Sequence, residues 1–368
     1  MIYLARRYYR FIAFVFLLLA GHYGLAQASA QTPSDQSAAK IDTFLTKLTS
    51  NNMFSGSVLI AKDGKIILSK GYGLADEEND VLNTTKTKFR IGSLTKQFTA
   101  MAILILQERG KLDVQDKICK YVKDCPASWQ DITIHHLLTH TSGIPDYTQL
   151  PGFDGKITLP MSVMQTIQLF KEKPLEFKPG SRWSYSNSGY HLLGYIIEQA
   201  SGTRYQVFLR ENIFGPLDLK DTDYDNNTIV VKHRAAGYAS VGRKARYLDM
   251  SLPYSAGGLY STVEDLYLWD QALYTDKLIS KKSLALMFTP FAEVPGAPPF
   301  AAYGYGWLIS KPKIDHPFVG HVGQIFGFAS LIMRYPDDKV TLIVLSNLET
   351  TSIDGIQTTI SDIVFSKS

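Results

Sequence analysis

A serine and a lysine at the start of a predicted helix are the residues whose spacing most plainly suggests chemistry. Ser93 and Lys96 lie in the stretch FRIGSLTKQF, where the apolar pattern predicts a helix from Ser93 to Arg109 that Gly110 ends. A lysine three residues into a helix is electrostatically disfavoured, because the first turn carries partial positive charge. Residues three apart share one helix face, so the amine can reach the hydroxyl.

This pair of residue types can act as a nucleophile and its base. The positive helix end and partial burial both lower the pKa of a lysine, and a neutral lysine can take the proton of a serine hydroxyl. Backbone N–H groups at a helix start also suit an oxyanion. The structural alternative is a serine that caps the helix, for which a capping box would want Glu or Gln at position 96. By itself the spacing S-x-x-K is common by chance.

A second set of polar residues precedes another predicted helix. Tyr185 and Asn187 lie in WSYSNSGYHLLGYIIEQASG, whose helical pattern ends at Gly202. The functional interpretation places the Tyr185 hydroxyl at the mouth of a cleft as a proton relay and lets Asn187 hydrogen-bond a substrate amide. The structural alternative makes Asn187 or Ser188 the N-cap and packs Tyr185 in the core.

A glycine-rich, strand-like stretch near the C-terminus, GHVGQIFGF, carries the third set. Its glycines are typical of bulges or of close backbone contacts. In the functional interpretation, Gly323 lets a substrate backbone approach an edge strand, and the N–H of Gln324 completes an oxyanion hole with that of Ser93. His321 is predicted to point into the same cleft.

Together the three sets resemble the motifs of the penicillin-recognising serine hydrolases, in the order that this family uses. Stretches such as ITIHHLLTHTSGIPDY and SAGGLYSTVEDLYLWDQAL also resemble the branch of class C β-lactamases and D-Ala-D-Ala carboxypeptidases. The resemblance covers nearly all of the chain after its first 30 residues. The matching motifs are Ser93-Leu-Thr-Lys96, Tyr185-Ser-Asn187 and His321-Val-Gly323.

The resemblance implies acyl transfer through a covalent intermediate. Ser93 attacks a carbonyl and forms an acyl-enzyme, which water then hydrolyses, while Lys96 and Tyr185 move the proton. The backbone N–H groups of Ser93 and Gln324 bind the oxyanion. No metal and no organic cofactor is needed. The residues expected to contact substrate are Asn187, His321, Gly323 and Gln324.

His321 departs from the β-lactamases of this branch, which have lysine at that position. A histidine near its normal pKa is mostly uncharged at neutral pH, so it binds a substrate carboxylate less well. The resemblance therefore favours a D-amino-acid-containing peptide, in a reaction of the carboxypeptidase or peptidase type. The alternatives are a β-lactam, a small ester, or, in another class, a non-catalytic penicillin-binding sensor, against which the intact motifs argue.

The order of sequence patterns predicts an α/β protein with two lobes. Strand-like runs at both ends of the chain, the first joined by an Asp63–Gly64 hairpin signal, share one antiparallel sheet flanked by N- and C-terminal helices. A mainly helical lobe is inserted between them, as in the β-lactamase/transpeptidase fold. The predicted limits are 31–100 and 300–368 for the sheet lobe, 101–299 for the helical lobe, 353–365 for the last helix and 38–366 for the single catalytic domain.

The N-terminus has the pattern of a secretory signal peptide over residues 1–30. Three arginines precede the apolar run FIAFVFLLLA, and ASA fits a cleavage site. This predicts a secreted or periplasmic protein, with an uncleaved membrane anchor as the alternative. Removing the segment lowers the formal charge from +4 to +1, because it contains those three arginines and no acidic residue. Without a basic patch, a nucleic-acid partner is excluded, which leaves a small-molecule or peptide substrate such as a cell-wall peptide.

Cysteines and clustered histidines offer two further possibilities. Cys119 and Cys125 can form a short-loop disulfide in an oxidising compartment or remain two free thiols. In HHLLTH, His136 and His140 have the spacing of a zinc helix, but leucines occupy the place of the glutamate in H-E-x-x-H. A structural corner is therefore preferred, and no metal site is predicted. The oligomeric state is left open.

Overall fold

The computed structural model describes residues 33–296, 299–311 and 314–366. The predicted signal peptide, residues 1–30, lies outside them. Among the helices that are described, none combines the length and the apolar character needed to cross a bilayer.

The long strands lie toward the two ends of the described chain, inside its two terminal helices, and helices occupy much of the middle. The strands are β1 (Gly56–Lys62), β2 (Lys65–Tyr72), β3 (Leu74–Asp76), β4 (Val81–Leu82), β5 (Phe89–Arg90), β6 (Asp223–Tyr224), β7 (Tyr238–Ser240), β8 (Arg243–Lys244), β9 (Leu259–Ser261), β10 (Ala292–Glu293), β11 (Phe300–Tyr303), β12 (Leu308–Ser310), β13 (Val319–Ile325), β14 (Phe328–Tyr335) and β15 (Val340–Ser346). The helices are α1 (Pro33–Ser50), α2 (Thr95–Glu108), α3 (Ile134–Leu138), α4 (Val163–Lys171), α5 (Asn187–Ser201), α6 (Tyr205–Leu209), α7 (Gly215–Leu217), α8 (Tyr254–Gly257), α9 (Val263–Ala272), α10 (Lys281–Met287) and α11 (Ile353–Phe365).

One eight-stranded antiparallel sheet joins the two ends of the chain, as predicted. Its strand order is β10-β11-β12-β13-β14-β15-β1-β2. β1 lies between β15 and β2, with Val58 opposite Val344 on one side and Lys70 on the other. The β1–β2 turn uses Asp63 and Gly64 at φ 50° and 73°, the left-handed conformation that a two-residue hairpin needs.

The two faces of the sheet carry different helices. On one face, α1 and α11 pack together through apolar residues that share a core with β1, among them Ile41, Leu45, Ile356 and Ile360. The opposite face packs against α9 and against the turn that precedes α2. The predicted antiparallel sheet with flanking terminal helices is therefore confirmed, and α11 has the predicted bounds.

Helix α2 is the centre of the helical region. Every residue from Thr95 to Leu106 is buried, and the helix packs against α5 and α8. A helix that is buried all round its circumference belongs to the core. Its start differs from the prediction, because Ser93 lies in a 3₁₀ turn, Gly92–Leu94, that directly precedes the α-helix. Gly110, at φ 64°, follows its end as expected.

The division into lobes at residues 100 and 300 stays a prediction. Two features bear on where such a boundary would lie. The sheet already begins at Ala292, and β5 pairs with β9, so the first part of the chain is hydrogen-bonded to the middle part. Within the helical region, Cys119 and Cys125 form a disulfide, which decides between the two possibilities left open by the sequence.

Candidate active site

Two glycines allow the turn that carries Ser93 to lie against β13. Gly92 has φ 49°, and a Cβ on it would lie 3.0 Å from the backbone nitrogen of Gln324. A Cβ on Gly323 would lie 2.2 Å from the carbonyl oxygen of Ile91. Gly323 was predicted to admit a substrate backbone, but what occupies the space beside it is the protein's own chain. The glycine therefore serves the close approach of the Ser93 turn to the strand.

Lys96 is fully buried, and its amine is held by three oxygen atoms. Nζ lies 3.1 Å from Ser93 Oγ, 2.9 Å from Asn187 Oδ1 and 2.7 Å from the carbonyl oxygen of Ala256. Burial lowers the pKa of Lys96 to about 7, against a smaller opposing effect from Asp146. A neutral amine has two N–H bonds and one lone pair. The amide and carbonyl oxygens can accept only, so they take both N–H bonds and the lone pair is left facing Ser93.

Tyr185 approaches the same serine from α5's side of the site. Its hydroxyl lies 2.8 Å from Ser93 Oγ, and Lys96 Nζ lies 4.8 Å from the centre of its ring. Burial raises the pKa of Tyr185 above its ordinary value, so the phenol keeps its proton at neutral pH. Ser93 Oγ therefore has a proton acceptor and a proton donor within hydrogen-bond distance.

Asn187 begins α5, and its amide orientation is set at both ends. Oδ1 accepts from Lys96, and Nδ2 donates to Asp146 Oδ2 at 2.9 Å. The N-cap of α5 is Ser186, whose side chain accepts from the backbone N–H of Gly189. The structural alternative that made Asn187 or Ser188 the cap is therefore wrong, and the Asn187 side chain is free to face the site.

His321 lies under the site rather than at its surface. Its side chain is 3% exposed. Its Nδ1 donates to the carbonyl oxygen of Val322 at 2.7 Å, so Nε2 accepts from the Tyr303 hydroxyl at 3.0 Å. Burial, and secondarily the charge of Lys96, lower the pKa of His321 to about 3. The ring is a neutral, internally bonded group, contrary to the prediction that it points into the cleft.

Gln324 lies on an open stretch of β13 next to the Ser93 turn. β12 pairs with β13 only at Val319 and Gly320, so the described strands leave the rest of that edge without a partner. The Gln324 side chain is exposed, and its backbone nitrogen lies beside Gly92. The position agrees with the predicted oxyanion N–H, which stays a prediction.

The three motifs meet at a cleft of about 830 Å³ that is lined by both polar and apolar residues. Three carboxylates line it, Asp146, Asp154 and Glu349, and Asp154 is paired with Arg246 at 2.7 Å. Among the described residues that line it, none is lysine or arginine. The lining itself therefore offers a substrate negative charge and no cation, and the exposed Arg246 beside it is already paired with Asp154.

Two residues to which the sequence interpretation gave no role beside the second motif contact it directly. Asp146 bonds Asn187, as given above. His140 has φ 60°, its Nδ1 accepts from the backbone N–H of Ser186 at 3.1 Å, and its ring centre lies 4.3 Å from that of Tyr185. Both lie in the stretch HTSGIPDY. Nothing in their spacing marks these contacts, which join residues more than 40 positions apart.

The histidines of HHLLTH have separate structural partners. His136 and Thr133 form a reciprocal capping box at the start of α3. Nδ1 of His135 lies 2.8 Å from the Tyr305 hydroxyl, while His140 bonds the second motif. This arrangement agrees with the preference for a structural corner.

The chain is similar to known proteins over most of its length. A family model described as "Beta-lactamase" matches residues 38–360. Penicillin-binding protein 4* of Bacillus subtilis is 33% identical over 329 residues, which are 84% of this chain and 71% of that protein. The putative penicillin-binding protein PbpX of the same species is also 33% identical, over 84% of this chain and 74% of that protein.

Solved structures give the same result for the fold. The octameric penicillin-binding protein homologue from Pyrococcus abyssi matches with a TM-score of 0.79 at 30% identity, over 90% of this chain and 78% of that chain. D-amino acid amidase from Ochrobactrum anthropi, complexed with L-phenylalanine, matches with a TM-score of 0.77 at 26% identity, over 90% and 98% of the two chains. The predicted resemblance and fold are confirmed: the chain belongs to the β-lactamase family of serine hydrolases, homologous to penicillin-binding proteins and D-amino acid amidases.

Proposed function

We propose that this protein is a serine acyl hydrolase that cleaves D-amino-acid peptides and amides through an acyl-enzyme on Ser93. The observation that carries the proposal is the meeting of a lysine amine and a tyrosine hydroxyl at one serine oxygen, at 3.1 and 2.8 Å. Family membership gives the reaction class. The substrate class is argued from the charges of the cleft.

Acylation begins when Ser93 Oγ attacks the substrate carbonyl carbon and its proton passes to the lone pair of Lys96. The developing oxyanion lies between the backbone N–H groups of Ser93 and Gln324. The proton then reaches the leaving amine through Tyr185, whose phenol stays protonated until the transfer. Water attacks the ester in the second half of the reaction, with the same groups acting in reverse order.

The charges of the cleft favour a substrate without a carboxylate near the scissile bond. His321 is neutral and covered, and the described lining contains no lysine or arginine. A β-lactam or a free C-terminal carboxylate would meet Asp146 and Glu349, while Arg246, the exposed cation beside the lining, is already paired with Asp154. Like charges that are brought together without compensation cost affinity. This supports an amide or peptide substrate with a free amine over the carboxypeptidase type, and one solved relative is a D-amino acid amidase.

A substrate panel on the purified protein tests the proposal. It contains D-phenylalaninamide, D-alanine p-nitroanilide, an N-acylated D-Ala-D-Ala peptide, nitrocefin and p-nitrophenyl butyrate. We expect kcat/KM for the two D-amino-acid amides to exceed that for nitrocefin and the D-Ala-D-Ala peptide by at least about tenfold. Ser93→Ala should lower the turnover rate by at least about 10³-fold.

Other outcomes separate the alternatives. Efficient turnover of nitrocefin would identify a β-lactamase, and preference for the butyrate would identify an esterase. A stable acyl adduct with benzylpenicillin, without turnover of any substrate, would identify a sensor. Full activity in Ser93→Ala would overturn the site assignment. Export by the N-terminal segment is part of the same proposal, and N-terminal sequencing of protein from the native host tests it.

A further inference from the structure

Asn187 separates two side chains of opposite character. Its Oδ1 accepts from the Lys96 amine at 2.9 Å, and its Nδ2 donates to Asp146 Oδ2 at 2.9 Å. The amide can satisfy both neighbours in one orientation only, because a carboxylate cannot donate and the amine already needs an acceptor. If the amide turned over, its NH₂ group would face Lys96 and its oxygen would face the carboxylate.

Asp146 is itself held by the backbone. Its Oδ1 accepts from the N–H of Thr148 at 3.0 Å, as the cap of the 3₁₀ turn Tyr147–Gln149. Its Oδ2 is thereby directed at Asn187. Because one oxygen is fixed by the chain and the other holds the amide, the carboxylate serves as a rigid template for Asn187.

Asp146 also carries the formal negative charge that acts on Lys96, whereas the other titratable groups around the amine are neutral. The rings of Tyr185 and Tyr190 lie 4.8 and 5.4 Å from Nζ, and both phenols stay neutral because burial raises the pKa of each. His140 and His321 also face the amine, and burial lowers the pKa of each ring far enough to keep it neutral. Among the described residues, the carboxylate of Asp146 alone works against the burial of the amine and raises the pKa of Lys96.

We propose that Asp146 is a positioning residue for the reaction: it locks the Asn187 amide with its oxygen toward Lys96, and its charge sets the pH above which Lys96 acts as a base. The proposal rests on the proposed function of Lys96 as the base for Ser93. It assigns a role to a residue outside the three motifs. Asn187 then hydrogen-bonds the Lys96 amine as well as the substrate.

The test uses a reaction that does not require the natural substrate. A fluorophosphonate probe forms a P–O bond with Ser93 Oγ and releases fluoride, at a rate that depends on the neutral amine. For the wild-type protein we expect this rate to rise with pH through a midpoint near the pKa of Lys96, about 7. Asp146→Asn removes the charge and keeps a good cap. Its midpoint should fall by at least about half a pH unit, and its plateau rate should fall about tenfold because the Asn187 amide is no longer locked.

Two further variants separate the effects. Asp146→Glu keeps the charge on a longer side chain, so it should keep the wild-type midpoint while lowering the plateau. Asp113→Asn is the matched control, since exposed Asp113 makes the same bond to the N–H two residues ahead, at 2.8 Å from Gln115. Asp113→Asn should leave both the pH midpoint and the plateau rate of labelling unchanged. Thermal unfolding of each variant checks that it is folded.

The results distinguish two kinds of failure. If the probe labels wild-type Ser93 and the Asp146→Asn midpoint does not move, the inference about Asp146 is overturned and the proposed function stands. If Ser93 of the wild-type protein is not labelled at any pH, the proposed function fails first. A lower midpoint in the control as well would show a general charge effect and would also overturn the inference.

Discussion

Two buried cationic side chains in this protein, Arg334 and Lys96, have opposite electrostatic surroundings. Arg334 on β14 is 2% exposed, and its Nε donates to Asp270, whose side chain is fully buried. Thr341 donates to the other oxygen of the same carboxylate. Three aromatic rings lie within 6 Å of the guanidinium carbon, those of Tyr274, Phe288 and Trp307. This cation is matched in direct contact by a carboxylate and by π faces.

Lys96 also has two tyrosine rings near its amine, but no carboxylate contacts it directly. Its bonded partners are neutral oxygens, and the carboxylate that influences it is held on the far side of Asn187. The comparison teaches that direct pairing keeps a buried charge permanent, whereas burial without direct pairing makes the charge easy to lose. The first arrangement suits a fixed structural element. The second suits a group that must exchange a proton at neutral pH.

The largest expected effect is the destabilisation caused by removing Arg334. Arg334→Met leaves Asp270 buried without its partner, so we expect a loss of about 3–5 kcal/mol of unfolding free energy in urea titrations. Arg210→Met is the control, because Arg210 is half exposed and pairs with Asp223 at the surface. That change should cost less than about 1 kcal/mol. Equal losses in the two variants would remove the distinction between the pairs.

The next effect concerns activity rather than stability. Lys96→Met should lower kcat/KM by at least about 100-fold, or about 2.7 kcal/mol of barrier, because the base for Ser93 is lost. Its melting temperature should change little, since the lost hydrogen bonds to Asn187 and Ala256 are offset by removal of the amine's desolvation cost. Lys171→Met is the matched control: Lys171 is also buried, and its Nζ faces a backbone carbonyl away from the cleft. It should retain activity, and a strongly destabilised Lys96→Met would contradict the comparison.

The smallest effect is the pH dependence of stability that Lys96 contributes. Its pKa is about 7 in the folded protein and near 10.5 in the unfolded chain. Between these values the unfolded state binds one proton that the folded state does not, so stability rises with pH. Between pH 7.5 and 9, the unfolding free energy of the wild-type protein should rise by about 1.4 kcal/mol per pH unit relative to Lys96→Met. Parallel curves for the two proteins would show that the amine is not neutral when buried.

The sequence predicted those parts of the site that depend on short spacing. Ser93 and Lys96 are three residues apart in a helical stretch, so their contact follows from helix geometry. The Asp63–Gly64 hairpin and the amphipathic helix at 353–365 also follow from local pattern. The pairing of β1 with β15 required only that strand-like runs at the two ends share one sheet.

The parts that escaped prediction depend on contacts between distant residues. Asp146 and His140 reach the second motif across more than 40 positions of chain. The two-residue period of a strand says which face His321 occupies, but not that Tyr303 of β11 covers it. Close backbone contacts were the structural alternative for the glycines of GHVGQIFGF, and only packing reveals that Gly323 lies against Ile91.

The position of β1 in the sheet has a consequence for biosynthesis. Its register opposite β15 joins Gly56 to Ser346, so this strand, which lies between β15 and the edge strand β2, gains its second neighbour only when nearly the entire polypeptide has left the ribosome. Contacts at such separation form slowly, and until then the apolar residues of β1 lack half of their cover. A premature stop before position 340 would remove that neighbour and the last helix together. Its product should be an aggregating fragment rather than a weakened enzyme.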